Sequence, residues 1–246
     1  MPVESPMRIL VASPLGAVIE PTLSATFTGS TVKVAVDPAT VRQYIANRVR
    51  FDVVLADLIW NNPSLELTFD GLDVLDILRC EERQAAVLLA AQGHSMERDH
   101  LDEARLRPAE AVGIYLKSSG VPPLLDAIRE AAVGRRYDLK PLFRPRSLYE
   151  FFGDRRGTTA GRLAGAIAAG RASDTSTLAT AARVGINTAN KVTSAYLGPI
   201  IEQRGEHDPD LPMTVGVVYR WCGLHARYIV SWCRRNGHED VLQFGR

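Results

Sequence analysis

The chain is short of cysteine, of long apolar runs and of low-complexity sequence, and each shortage removes a class of protein. Three cysteines in 246 residues, Cys80, Cys222 and Cys233, are too few and too scattered for a disulfide framework, so a reducing, cytoplasmic setting is expected. No apolar stretch approaches the roughly 18 residues of a spanning helix, and no membrane partner is expected. The opening stretch Met1 to Ile19, with prolines at 2, 6 and 14, lacks a basic leader region and reads as mature chain. With 46% apolar and 23% charged residues the composition excludes general disorder and fibrous repeats. No glycine-rich phosphate loop follows the first apolar run, no nucleophile elbow occurs, and His94 and His100 have no evident catalytic partner. An enzyme is therefore the least expected reading, and no cofactor is expected.

What is present divides near residue 140. The formal charge is +1, but from Pro141 onward 14 Arg and Lys face 9 Asp and Glu, leaving the first part net acidic and the second net basic. A basic half is compatible with a polyanionic partner, although solvated faces produce the same count. The first part alternates short apolar runs with helical patterns. RILVA (8–12), TVKVAV (31–36), FDVVLADL (51–58), AAVLLA (85–90) and AVGIYLK (111–117) read as five strands, four of them nearly unbroken apolar, as parallel strands covered on both faces should be. Helical spacing follows in Pro38 to Arg48, Phe69 to Arg79, Met96 to Arg107 and Val121 to Arg135. This predicts a doubly wound α/β fold with a five-stranded parallel sheet, whose ligands belong at the carboxyl ends of the strands, where Asp57 and Lys117 fall.

Tyr137 to Tyr149 holds two prolines and three basic residues without periodicity, which marks a linker. The expected organisation is an α/β domain over residues 1–138, a linker over 139–157 and a small all-α domain over 158–246. In the last, Thr158 to Arg171, Ser176 to Val184, Thr188 to Leu197 and Val215 to Asn236 are expected helices, with breaks at Gly198-Pro199 and at His207 to Pro212.

The run FDVVLAD, the helix opening FDGLDVLDILR and the strand GIYLK resemble the third strand, third helix and fifth strand of response-regulator receiver domains, over roughly residues 7 to 137. The resemblance implies a flavodoxin-like fold with Asp57 at the phosphoacceptor position and Lys117 at the family's strand-five lysine. It also shows departures. Where the family has metal-binding acids after the first strand, this chain has Ser13 and Pro14, neither a good magnesium ligand. Phosphoryl transfer to a carboxylate needs that cation to offset charge, so Asp57 is expected to be a poor acceptor. The switch hydroxyl at the end of strand four falls on Ala90, and the switch aromatic falls on Ile114 rather than Tyr115. The stretch IWNNPSLELT (59–68) exceeds the family's usual loop and would cover the pocket, with Trp60 as its cap. Asp57 and Lys117 then read as a residual ion pair, or as part of a pocket open to a small-molecule or protein signal.

In the second part STLATAARVGINTANKVTSAYL (176–197) has the form of a helix-turn-helix: an alanine-rich helix, Gly185 at the turn accepting positive φ, Ile186 beneath it, then a second helix. Ala181 is small enough for the helices to cross closely. The apolar residue of the second helix falls on Val192, one place past the expected register, which holds Lys191. With LAGAIAAGR (163–171), the region resembles the output domain of LuxR-like response regulators. That resemblance implies double-stranded DNA as partner, read by Thr188, Asn190, Lys191, Thr193 and Ser194, and a homodimer. The aromatic final segment, with Tyr219, Trp221, Tyr228, Ile229 and Trp232 at helical spacing, is expected to form core or a dimer face. Cys222, His225, Cys233 and His238 match no trusted zinc spacing, and no metal is expected. The expected function is a DNA-binding transcriptional regulator with a degenerate, phosphorylation-independent receiver domain. A receiver-like signalling adaptor, whose helical half binds a protein, is the alternative.

Overall fold

A computed structural model describes residues 6–47, 49–137 and 146–243. The chain forms two compact units, Met1–Pro141 and Leu142–Arg246.

The first unit alternates β1 (Arg8–Ala12), α1 (Gly16–Thr26), β2 (Thr31–Ala35), α2 (Pro38–Ala46), β3 (Val53–Asp57), α3 (Gly71–Cys80), β4 (Ala86–Ala91), α4 (Arg98–Leu106), β5 (Ala111–Leu116) and α5 (Val121–Ala132). All strands are parallel, in the order β2-β1-β3-β4-β5. This is the flavodoxin-like order, and its reversal between β1 and β3 opens a crevice at their carboxyl ends. β3 is buried along its whole length, as its unbroken apolar run demands. Ile9, Val11, Val53, Leu55 and Leu88 meet Leu124 and Ile128 of α5 in the core. Asp37 caps α2 ahead of Pro38, and Asp70 caps α3 in a capping box with Asp73, so both helices start where their sequence directs.

Helix α1 was not among the expected elements. Pro21 lies inside it and removes one backbone donor, and the apolar positions make no clean stripe. Tertiary packing supplies what the pattern lacks, since Leu23 and Phe27 are buried in the core. Trp60 is buried and packs edge-on against Phe69 at 4.8 Å, inside a loop closed by the Ile59–Asp70 bridge, and so is part of the core.

The second unit consists of α6 (Leu148–Phe151), α7 (Arg155–Ala168), α8 (Thr175–Ala182), α9 (Ile186–Asn190), a π-helical segment Val192–Tyr196, α10 (Leu197–Gln203), α11 (Val215–Leu224) and α12 (Ala226–Arg235). Helix α7 lies at its centre, packed on α8, α11 and α12. Its glycines permit that closeness: a Cβ on Gly161 would stand 2.4 Å from the Trp232 ring, and one on Gly157 1.8 Å from the Phe151 carbonyl oxygen. Arg162 binds Asp240 through both guanidinium arms and donates to the Ala182 carbonyl, tying α7, α8 and the chain end together.

Several expectations for this half are corrected. Of the segment 139–157 read as linker, 139–145 lies outside the described residues, but α6 and the start of α7 occupy its remainder, with Leu148 and Phe152 buried. The apolar LYEFF run, capped by Ser147, forms core there. Gly198-Pro199 does not break a helix but sits in the first turn of α10, where proline's missing N–H costs little. The final helix is two helices parted at His225. Trp221, Tyr228, Ile229 and Trp232 are all buried within the unit, which is the first of the two roles expected for them, core. Burial pushes the Cys222 thiol well up and that of Cys233 up to about 12, the behaviour of core thiols. Among the described residues no helix is long and apolar enough to cross a membrane.

Candidate functional site

At the carboxyl ends of β1, β3 and β5 the sheet gathers Ser13, Asp57 and Lys117. Asp57 is the last residue of β3 and only 5% exposed. One carboxylate oxygen, Oδ1, is 2.7 Å from the Lys117 ammonium; the other, Oδ2, accepts a 2.6 Å hydrogen bond from the Ser13 hydroxyl. The Ser13 oxygen in turn accepts from the Leu15 amide at 3.1 Å, which orients its hydrogen toward Asp57. Each element has a reason to be there. Parallel pairing of β1 with β3 aligns Ala12 with Ala56 and so brings the next residues, Ser13 and Asp57, side by side. Lys117 follows directly after β5.

Ala90 is the Cα partner of Asp57 on β4, and its carbonyl accepts the Leu58 amide at 2.8 Å. Its methyl offers no hydrogen bond, as the sequence implies. Ile114 is buried, and Tyr115 is turned into the core with its hydroxyl bonded to the Gly120 carbonyl at 2.6 Å. Both carboxylate oxygens of Asp57 are thus engaged inside the protein. The arrangement is a charge-assisted and largely buried network. His100, which the sequence left without a partner, is buried with Nε2 3.5 Å from the Asp70 carboxylate, so it belongs to the packing of α4 near the start of α3.

On the helical unit the five expected reading residues do not share one surface. Asn190, Lys191 and Ser194 are exposed, and Thr188 is half-buried. Thr193 is turned inward, with its hydroxyl oxygen buried and without a hydrogen-bond partner. The turn differs as well. Gly185 has φ −66 and caps α9, while the left-handed position belongs to Arg183, with φ 53. Ile186, expected beneath the turn, is 49% exposed. Val192 is buried as expected and Tyr196 half-buried. The expected single helix from Thr188 to Leu197 is interrupted at Lys191 and continues as the π-helical segment.

Pro199 cannot donate to the carbonyl four residues earlier, that of Ala195. The guanidinium of Arg156 on α7 donates to that oxygen instead, through Nε at 3.2 Å and a second time through Nη2. Arg156 was not among the expected site residues; the signal for it is the proline, which marks Ala195 as an acceptor in need of a donor.

No protein-family model matches the chain, and no curated protein matches it. Solved structures do. RcsB from Salmonella enterica serovar Typhimurium, in a structure bound to promoter P1flhDC in the presence of the phosphomimetic BeF3-, is 15% identical, with 89% of this chain and 99% of that chain covered and a TM-score of 0.50. A CheY-like response regulator receiver domain from Methanospirillum hungatei is 20% identical over 53% of this chain and 96% of its own, with a TM-score of 0.41. The Francisella response regulator 1452 receiver domain is 18% identical over 52% and 98%, with a TM-score of 0.39. The sheet order and the RcsB comparison agree on the fold: this chain has a flavodoxin-like α/β unit followed by a helical unit.

Proposed function

We propose that the chain is a DNA-binding transcriptional regulator whose receiver-like domain works without phosphorylation. The observation that carries the second part is the occupied carboxylate: Asp57 is held by Ser13 on one oxygen and by Lys117 on the other. A magnesium site would need further hard oxygen ligands where the chain offers Ser13 and Pro14. The first part is supported by the basic helical half and by the fold neighbour solved on promoter DNA. We read α8 and α9 as a helix-turn-helix, with Asn190 reading a base edge and Lys191 a phosphate, flanked by Thr188 and Ser194. Thr193 is left out because its hydroxyl is inside. The regulator acts as a homodimer on two-fold sites, in the cytoplasm. Its signal enters through the strand-end pocket as a ligand or a protein contact.

Acetyl phosphate with magnesium is expected to leave the intact mass unchanged. A phosphoryl adduct that disappears in Asp57→Asn overturns phosphorylation independence. For DNA, log affinity for random duplex is expected to fall linearly with log salt, and Lys191→Ala to lower that slope by about one. A second reading, a signalling adaptor whose helical half binds a protein, is favoured by the interrupted second helix and by exposed Ile186. Absence of any salt-dependent DNA binding selects it.

A further inference from the structure

The chain leaves α5 by a turn that brings it back onto the sheet. At the helix end the Gly134 amide donates to the Ala131 carbonyl and the Arg135 amide to the Glu130 carbonyl, with Gly134 in the left-handed region at φ 74. Tyr137 then pairs in parallel with the outer edge of β5. Its amide donates to the Val112 carbonyl at 2.9 Å, and its carbonyl accepts from the Ile114 amide at 3.0 Å. Opposite it stands Gly113, where a Cβ would lie 2.7 Å from the Tyr137 oxygen and 2.8 Å from the Tyr137 Cβ, so the close approach needs a glycine. The Tyr137 side chain, half-buried, packs on the same core as the buried Tyr115 ring. Burial and the neighbouring Tyr137 phenol hold the Tyr115 hydroxyl above its ordinary range. That hydroxyl donates to the Gly120 carbonyl at 2.6 Å, and the Gly120 amide donates to the Lys117 carbonyl at 3.3 Å. Adjacent groups thus lead from Tyr137 through Tyr115 and Gly120 to Lys117, whose ammonium lies 2.7 Å from Asp57.

From this geometry we infer that Tyr137 is a releasable strap on the sheet edge, and that its docking is coupled to the Asp57–Lys117 pair. Docked, it backs Tyr115 and the turn from Lys117 to Gly120, which keeps the ammonium on Asp57. Released, it loosens that turn and the pair with it. Among the described residues the strap is tied to β5 by two backbone hydrogen bonds at the rim of the sheet, the low-stability end of a fold, so it undocks without unfolding of the core. Coupling of this kind is reciprocal: whatever takes the Lys117 ammonium or the Asp57 carboxylate frees the strap, and with it the start of the segment joining the two units. This last consequence rests on the proposed entry of a signal at the strand ends; the coupling itself does not.

The test uses the full chain and two variants, with folding checked by circular dichroism. Tyr137→Ala removes the strap's ring, and Gly113→Ala removes the room for its backbone. Release is read at the Ile114 amide, which donates to the Tyr137 carbonyl and is expected to exchange about tenfold faster in both variants. The pair is read by acetylation of lysine side chains with a limiting reagent. Lys117 is expected to label about tenfold faster in both variants, while Lys33, on β2 of the same sheet, keeps its wild-type rate. Wild-type labelling of Lys117 where the Ile114 amide exchanges faster overturns the coupling, as does Lys33 accelerating in step with Lys117. An unchanged Ile114 amide overturns the strap. A Cβ on Gly113 also meets Leu88, so if Gly113→Ala does not fold, Tyr137→Ala decides alone. Salt-dependent DNA binding measured on the same samples separates the two readings: coupling without any DNA binding leaves the strap standing and removes the regulator.

Discussion

In the α/β unit a buried carboxylate, Asp57, takes its two partners from Ser13 and Lys117, 44 and 60 residues away in the chain. In the helical unit the comparable carboxylate, Glu206, takes Arg204 from its own loop and Trp221 and His225 from the next helix and its end. The first set depends on sheet register, because parallel pairing alone brings the ends of β1, β3 and β5 together. The second is largely local, and follows from a loop folding back on one helix. The two units are therefore vulnerable in different places: one at a few long-range contacts across a regular sheet, the other at close helix approaches and carbonyls that a neighbouring side chain must satisfy.

The largest effect is expected from Lys117→Ala, which leaves the Asp57 carboxylate buried beside Ser13 alone. Removing one partner of a buried ion pair costs about 3 to 5 kcal/mol, and because the Lys117 side chain is 28% exposed the lower end, about 3 kcal/mol, is expected here. Hydrogen exchange read by mass spectrometry should show faster opening in residues 6–137 and none in 146–243. Gly157→Ala is the counterpart in the other unit. Its Cβ would meet the Phe151 carbonyl at 1.8 Å, so α6 and α7 must move apart, at a cost of about 2 kcal/mol of overpacking, localised to residues 146–243 in the same measurement.

Acid separates the units more gently. Burial raises the Glu206 carboxyl, but hydrogen bonds from His225, Arg204 and Trp221 outweigh it and hold the group well below its ordinary 4.5. Because the folded value is depressed, its stabilisation is complete above that ordinary value and is lost as pH falls below it. Urea midpoints of the helical unit should drop on going below about pH 4.5, and Glu206→Gln should flatten that dependence. The smallest effect is Ser13→Ala, which removes one of two partners of Asp57 and should cost about 1 kcal/mol, read as a shift in urea midpoint at constant slope.

Local pattern in the chain was enough to set the α/β unit's strands and most of its helices, and it pointed to the buried Asp57 cluster within that unit. Short unbroken apolar runs such as VVLAD admit few alternatives when covered on both faces, and Asp57 and Lys117 lie at strand ends by count alone. It also identified Ser13 as a residue unfit for magnesium, though not as the hydrogen-bond donor that occupies Asp57. Helix α1 stayed hidden, since Pro21 and an unstriped pattern argue locally against the helix that burial of Leu23 and Phe27 secures. In the second unit local pattern identified helices but not their interruptions. The donor that reaches the Ala195 carbonyl, to which Pro199 has no amide to give, is Arg156, 39 residues earlier in the chain. Whether the aromatics of α11 and α12 would form core or an outer face depended on Gly161 admitting Trp232 against α7. A period records which face of an element is apolar, but only the packed structure decides what lies against that face and which donor reaches an orphaned backbone oxygen.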